Sequence, residues 1–145
     1  MLVACGRPAS TPYVGGLSPQ VAVLDMDGRE IALGAASGRV QLLSFWASWC
    51  GPCRREGPAL ATLIERHRGD VDLTRINLGE DDDTLRAAAL ALPMPGLDVV
   101  DVSGAAAAAY AVDTLPLTLL VGPDGVVLFR DQHIPTEADL EGAFQ

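Results

Sequence analysis

Ser44-Phe45-Trp46-Ala47-Ser48-Trp49-Cys50-Gly51-Pro52-Cys53-Arg54-Arg55-Glu56 is the stretch on which the reading of this chain turns. Val40 to Trp46 is apolar and partly β-branched, the pattern of a buried strand. Pro52 has no backbone donor and is tolerated in the first turn of a helix, so a helix opens here. Cys50 then sits at the helix N-terminus and Cys53 one turn further in, on the same face. The positive helix end and its free N–H groups stabilise an anion. A thiolate at Cys50 is therefore expected to form below the pKa of ~8.5 of a free cysteine. Cys53 is close enough to close a short disulfide with it. A low-pKa thiol beside a resolving thiol is the minimum apparatus for thiol–disulfide exchange.

Zinc is the first alternative for a Cys-x-x-Cys pair, but it wants four ligands. One more cysteine stands far upstream, and His67 and His133 are not at metal spacing. No metal site is predicted. The chain has 145 residues, enough for one domain with a real core. Ten basic against nineteen acidic residues give a net charge of -9, which argues against nucleic acid and anionic membranes as partners. No apolar segment is long enough to cross a bilayer.

Phe45-Trp46-Ala47-Ser48-Trp49-Cys50-Gly51-Pro52-Cys53 resembles the active site of the thioredoxin superfamily. With Arg54-Arg55-Glu56-Gly57-Pro58 it is similar to the TlpA/ResA group of extracytoplasmic thiol–disulfide oxidoreductases, over about Val21 to Gln145. The resemblance implies a thioredoxin-like α/β fold, with a central mixed sheet, helices on both faces and an N-terminal β-hairpin. It implies that Pro116 is cis and faces the cysteine turn, with Leu115 and Pro116 joining Trp49, Gly51 and Pro52 to shape the substrate groove. It also implies a role for Glu56. Thioredoxins often keep a buried Asp on the central strand to handle the proton of the second cysteine, and Ser44 holds that place here. Glu56, three residues after Cys53 on the same helical face, is the candidate replacement, and its charge raises the thiol pKa values.

The rest of the chain reads outward from there. Leu2-Val3-Ala4-Cys5 resembles a bacterial lipobox, which makes Cys5 a lipidation candidate. Only Met1 precedes it, so the charged and apolar parts of a signal peptide are missing, and the match reads as the end of a truncated one. Residues 1–19 are predicted to be a flexible segment, a mobile Gly/Pro/Ser/Thr-rich tether from Gly6 to Pro19, and residues 20–145 the thioredoxin-like domain. Gln20–Leu24 and Glu30–Leu33 flank Asp25-Met26-Asp27-Gly28, a hairpin turn. Pro52 to Arg68 is a long helix broken in its ladder by Pro58, with His67 near its C-terminus. Val71–Leu78 alternates like a strand. Glu80-Asp81-Asp82-Asp83 supplies a solvated acidic cap for a helix to Leu92, with a calcium or partner site as the other reading. A short strand, a small Ala-rich helix, a strand from Leu117, a hairpin through Gly122-Pro123-Asp124-Gly125 and a helix capped by Thr136 complete it.

The expected chemistry is attack by the exposed Cys50 on a partner disulfide, followed by attack of the partly buried Cys53 on Cys50. Gly-Pro between the cysteines is the dipeptide of reducing thioredoxins. A reductase is expected, a monomer working outside the cytoplasm. It would be recharged by a membrane thiol-electron donor and act on disulfide-containing or apocytochrome-type substrates in cytochrome c maturation. No cofactor beyond the Cys50–Cys53 dithiol is implied. A peroxiredoxin would need a Pro-x-x-x-Thr/Ser-x-x-Cys loop, which is absent. The other class in contention is a copper-binding metallochaperone on the same fold, because thiolates and thioethers suit Cu(I) and Met94 is a candidate to approach the site.

Overall fold

The computed structural model of the protein describes residues 10–91 and 93–145. Cys5, its lipidation and the first half of the expected tether lie outside the described residues. The elements follow the order β1 (Val21–Asp25), β2 (Glu30–Leu33), β3 (Val40–Trp46), α1 (Gly51–Arg66), β4 (Val71–Asn77), α2 (Asp82–Ala91), β5 (Leu97–Val100), α3 (Ala105–Ala109), β6 (Leu117–Val121), β7 (Val127–Asp131) and α4 (Glu137–Ala143). The seven strands form one sheet in the order β2-β1-β5-β4-β3-β6-β7. β3, β4 and β5 are parallel, and β1 and β6 run antiparallel against either side of them.

The alternation of β3 explains the layers. Val40 and Leu42 point to one face, where they meet Leu60, Leu63 and Ile64 of α1 and Leu140 of α4. Leu43 and Phe45 point to the other, where they meet Ala106 of α3 and Tyr110. Leu42, Leu43 and Phe45 are fully buried, each worth roughly 1.5–3 kcal/mol of burial. Trp46, the last strand residue, joins Leu85 of α2 and Val100 in a third cluster that Cys53 abuts. The helices thus cover both faces of a mixed sheet, as the sequence predicts.

The mobile tether expected as far as Pro19 does not hold for its described part. The N–H of Gly15 donates to Val127 O at 2.9 Å, that of Val127 to Gly16 O at 2.8 Å, and that of Ser18 to Gly125 O at 2.8 Å. The Tyr110 hydroxyl donates to Pro19 O at 2.7 Å, and the Arg130 guanidinium stacks on Tyr13. The ordered domain therefore includes the segment from Ser10, ahead of the expected start at Gln20. Composition reports local freedom, whereas this segment is held by long-range pairing with the start of edge strand β7, which would otherwise be unpaired. Gly34 lets the segment approach: its φ is +84°, and a Cβ there would collide with the Pro19 carbonyl and the Tyr110 hydroxyl.

Candidate active site

β3 ends at Trp46, and the chain turns through Ala47 to Trp49 before α1 opens. Cys50 is the N-cap of α1, and its Sγ accepts the N–H of Cys53 at 3.2 Å. The two cysteines are joined in a disulfide. The donor that holds the Cys50 sulfur is one of the free N–H groups of a helix start, so the arrangement suits a thiolate better than a neutral sulfur. The expected exposure of Cys50 is not found in this oxidised state, whereas Cys53 is partly buried as expected. Cys50 is only 3% exposed, while Cys53 is half-buried. Trp49 is 71% exposed beside it, and Trp46 is buried, as the strand pattern predicts.

The Leu115–Pro116 bond is cis. Pro116 shares a small cavity of about 20 Å³ with Cys53, Glu56, Ser44, Arg75 and Met94. The structure thus brings together Cys53, Glu56 and Pro116, and places Met94 at the same spot. Glu56 is partly buried and lines this cavity, with 27% of its side chain exposed. His133 comes within 3.6 Å of its carboxylate, from a loop that sequence reasoning left without a role. Gly51 is partly buried and Pro52 exposed at the helix tip, with Leu115 partly buried before the cis bond. His67 caps the C-terminus of α1 and pairs with Glu137 of α4 at 2.6 Å, away from the cysteines.

Two further residues reach the site unannounced. Glu80 belongs to the acidic run that the sequence assigns to a helix cap. Asp81 does serve as that cap, accepting the Thr84 N–H at 2.8 Å. Glu80 instead turns back to the cysteine loop. It accepts the Ser48 N–H at 2.8 Å, the Ser48 hydroxyl at 2.5 Å and the Asn77 amide at 2.7 Å. Burial works to raise its pKa, but the bonds from Asn77 and Ser48 outweigh it and hold the carboxyl below the usual range. Ser48 follows β3 and Glu80 follows β4, two adjacent parallel strands, so the clamp lies across their C-terminal ends.

Arg75 is the second. It sits on β4 opposite Ser44, buried, with its guanidinium 4.0 Å over the Trp46 ring. Its ion pair with Asp98 is long, 3.8 Å. Burial pushes the Arg75 pKa down and that of Asp98 up, each partly offset by the charge of the other. The place of neither Glu80 nor Arg75 is legible in the sequence, because Ser48, Trp46 and Asp98 are brought to them by neighbouring strands.

The profile of the AhpC/TSA family matches residues 14–130, most of the chain. The chain belongs to the AhpC/TSA family. This AhpC/TSA protein is 31% identical over 130 residues to the thiol-disulfide oxidoreductase ResA of Geobacillus kaustophilus, covering 88% of this chain and 74% of that one. A solved thiol-disulfide oxidoreductase from Bacteroides fragilis shares its fold with a TM-score of 0.75 at 28% identity, over 88% of this chain and 96% of the other. The thioredoxin domain of a thiol-disulfide oxidoreductase from Bacteroides vulgatus superimposes with a TM-score of 0.77 at 18% identity, over 91% and 95% of the two chains, a likeness of fold alone. The family, the relatives and the Cys50–Cys53 disulfide together make this AhpC/TSA protein a thiol–disulfide oxidoreductase with a thioredoxin-like fold. Among the described residues no helix is long and apolar enough to cross a membrane.

Proposed function

We propose that the protein reduces disulfides of other proteins outside the cytoplasm through its Cys50–Cys53 dithiol, in cytochrome c maturation or a comparable task. The observation that carries this reading is the cysteine pair at the tip of α1 with cis-Pro116 against the same cavity. Thiolate Cys50 attacks one sulfur of the partner disulfide, forming a mixed disulfide and releasing one partner thiolate. Cys53, once deprotonated, attacks Cys50 and releases the second. Two electrons pass to the partner, its two thiolates take up protons, and Cys50–Cys53 is left oxidised. A membrane thiol-electron donor restores the dithiol. The dithiol serves as the only redox group, the protein acts as a monomer without nucleic-acid partners, and Cys5 in the native precursor carries a lipid anchor.

Glu56 holds and returns the Cys53 proton in this scheme, and its place in the cavity with Cys53 supports the role. A carboxylate beside two thiols opposes the helix end by like-charge coupling. Glu56→Gln is expected to lower the pKa of Cys50, because removing a negative neighbour favours the thiolate. Alkylation rates of Cys50 against pH read the shift directly. Identical titration curves would assign Glu56 to structure alone.

The whole reading is tested by insulin reduction together with the Cys50–Cys53 potential. Turnover is expected, with a potential in the thioredoxin range of about −270 mV. The position of Met94 beside Cys53 keeps a second reading in contention, a metallochaperone holding Cu(I) between thiolates and thioether. Tight Cu(I) binding with no insulin turnover would favour it.

A further inference from the structure

A groove of about 570 Å³ leaves the active site on the side away from cis-Pro116. It begins at Cys53 and Trp46, passes over Arg75, and ends against Thr84 and the alanine face of α2, with Arg54 of α1 at its rim. Among the described residues no acidic side chain lines it, in a chain whose net charge is -9. Its floor is unusual. A buried cation is costly unless a close, hydrogen-bonded partner compensates it. The Arg75 guanidinium, on a side chain only 10% exposed, makes no hydrogen bond to any described residue, and its one ion pair among them is the 3.8 Å contact with Asp98. Trp46 fixes the guanidinium plane from one side. The remaining donors of a planar fork are matched in geometry to a carboxylate.

We propose that this groove is a carboxylate subsite. Its occupant is the acid group of a side chain of the partner protein, a few atoms from the disulfide being reduced. The inference rests on the oxidoreductase reading above and names the substrate class within it. When the partner sulfur is bound to Cys50, the chain beyond that sulfur runs past Cys53 into the groove. Arg75 takes the acid group in a forked pair, Arg54 adds a second charge at the mouth, and the small side chains of Ala87, Ala88 and Ala91 leave room for an aliphatic linker. The carboxylate gives Arg75 the close partner that Asp98 does not. The preference runs against the field of the whole molecule, which repels anions.

The test compares two disulfides of the same length, dithiodipropionate and its uncharged diamide, as oxidants of the reduced protein. The carboxylate form is expected to react about tenfold faster, and Arg75→Gln to bring the ratio close to one. Arg75→Lys keeps the charge without the fork, and an intermediate ratio is expected. Arg54 is exposed at the rim, so Arg54→Gln carries the same test should Arg75→Gln fail to fold; it is expected to cut the preference by about threefold. A wild-type ratio at or below one overturns the subsite, as does a preference that survives both glutamine variants. Oxidation of Cys50 and Cys53 by neither compound overturns the oxidoreductase reading itself, whereas equal oxidation by both overturns the subsite alone.

Discussion

Cys53→Ser is expected to leave the protein able to begin exchange and unable to finish it. Cys50 still caps α1 and still has an N–H aimed at its sulfur, because that donor is the backbone of residue 53. It is expected to attack the partner disulfide, and the adduct is then expected to persist. Resolution by Cys53 is intramolecular, and well-oriented intramolecular reactions reach effective molarities on the order of 10⁵ M. No millimolar external thiol replaces that, so insulin turnover is expected to fall by at least ~10³. The adduct should appear by mass spectrometry as one partner chain attached to Cys50. Cys50→Ser should be equally inactive and should collect no adduct. The comparison matters because Cys50 is the more buried sulfur in the oxidised state. A stable adduct on Cys53 in Cys50→Ser, with none on Cys50 in Cys53→Ser, would reverse the order of attack.

The contrast between Cys50 and Glu80 shows how far sequence alone reaches into this site. The strand, turn and helix around Cys50 are legible because each is a local matter. An apolar run ends, a proline fits one helical turn, and two cysteines share a face. β3 spans Val40–Trp46 and α4 carries the Thr136–Asp139 capping box, both as their residues predict. The cis bond before Pro116 comes from the resemblance, because nothing in Leu115-Pro116-Leu117 alone requires it. What is hidden depends on register between strands. Arg75 falls on the apolar parity of Val71 and Leu73, and its role stays hidden until Trp46 and Asp98 are placed beside it by β3 and β5. Glu80 reads as one of four acids until the ends of β3 and β4 bring Ser48 to it. The segment from Ser10 to Pro19 reads as loose because its partners, Gly125 and Val127, are more than a hundred residues away. In each case the missing information is which distant backbone lies opposite.

Glu80→Ala is expected to weaken both the fold and the chemistry. Three donors lose their acceptor at once: the Ser48 N–H, the Ser48 hydroxyl and the Asn77 amide. Asn77 is fully buried, so its amide finds no water in exchange. An unsatisfied buried group costs about 1–3 kcal/mol, a loss that a domain with roughly 5–15 kcal/mol of stability survives folded. The loop from Ala47 to Trp49 then loses its anchor to β4, and Cys50 loses its fixed approach. A displacement near 1 Å at a reacting centre can cost about 10²-fold. A fall in insulin turnover of at least ~10-fold is therefore expected from a protein that is still folded. Acid separates this charge effect from simple truncation. The Glu80 carboxyl is held below its ordinary range in the folded protein. A depressed folded pKa gives stability that is complete above the unfolded pKa and is lost as pH falls through the folded one. The stability gap between wild type and Glu80→Ala should therefore stay constant near neutrality and narrow in acid, below the ordinary carboxylate range. Urea unfolding of both proteins across that range reads the gap, and Glu80→Gln, which keeps one acceptor, should lie between them. A gap that is already absent at neutral pH, with turnover intact, would mean that Glu80 decorates the loop and does not hold it.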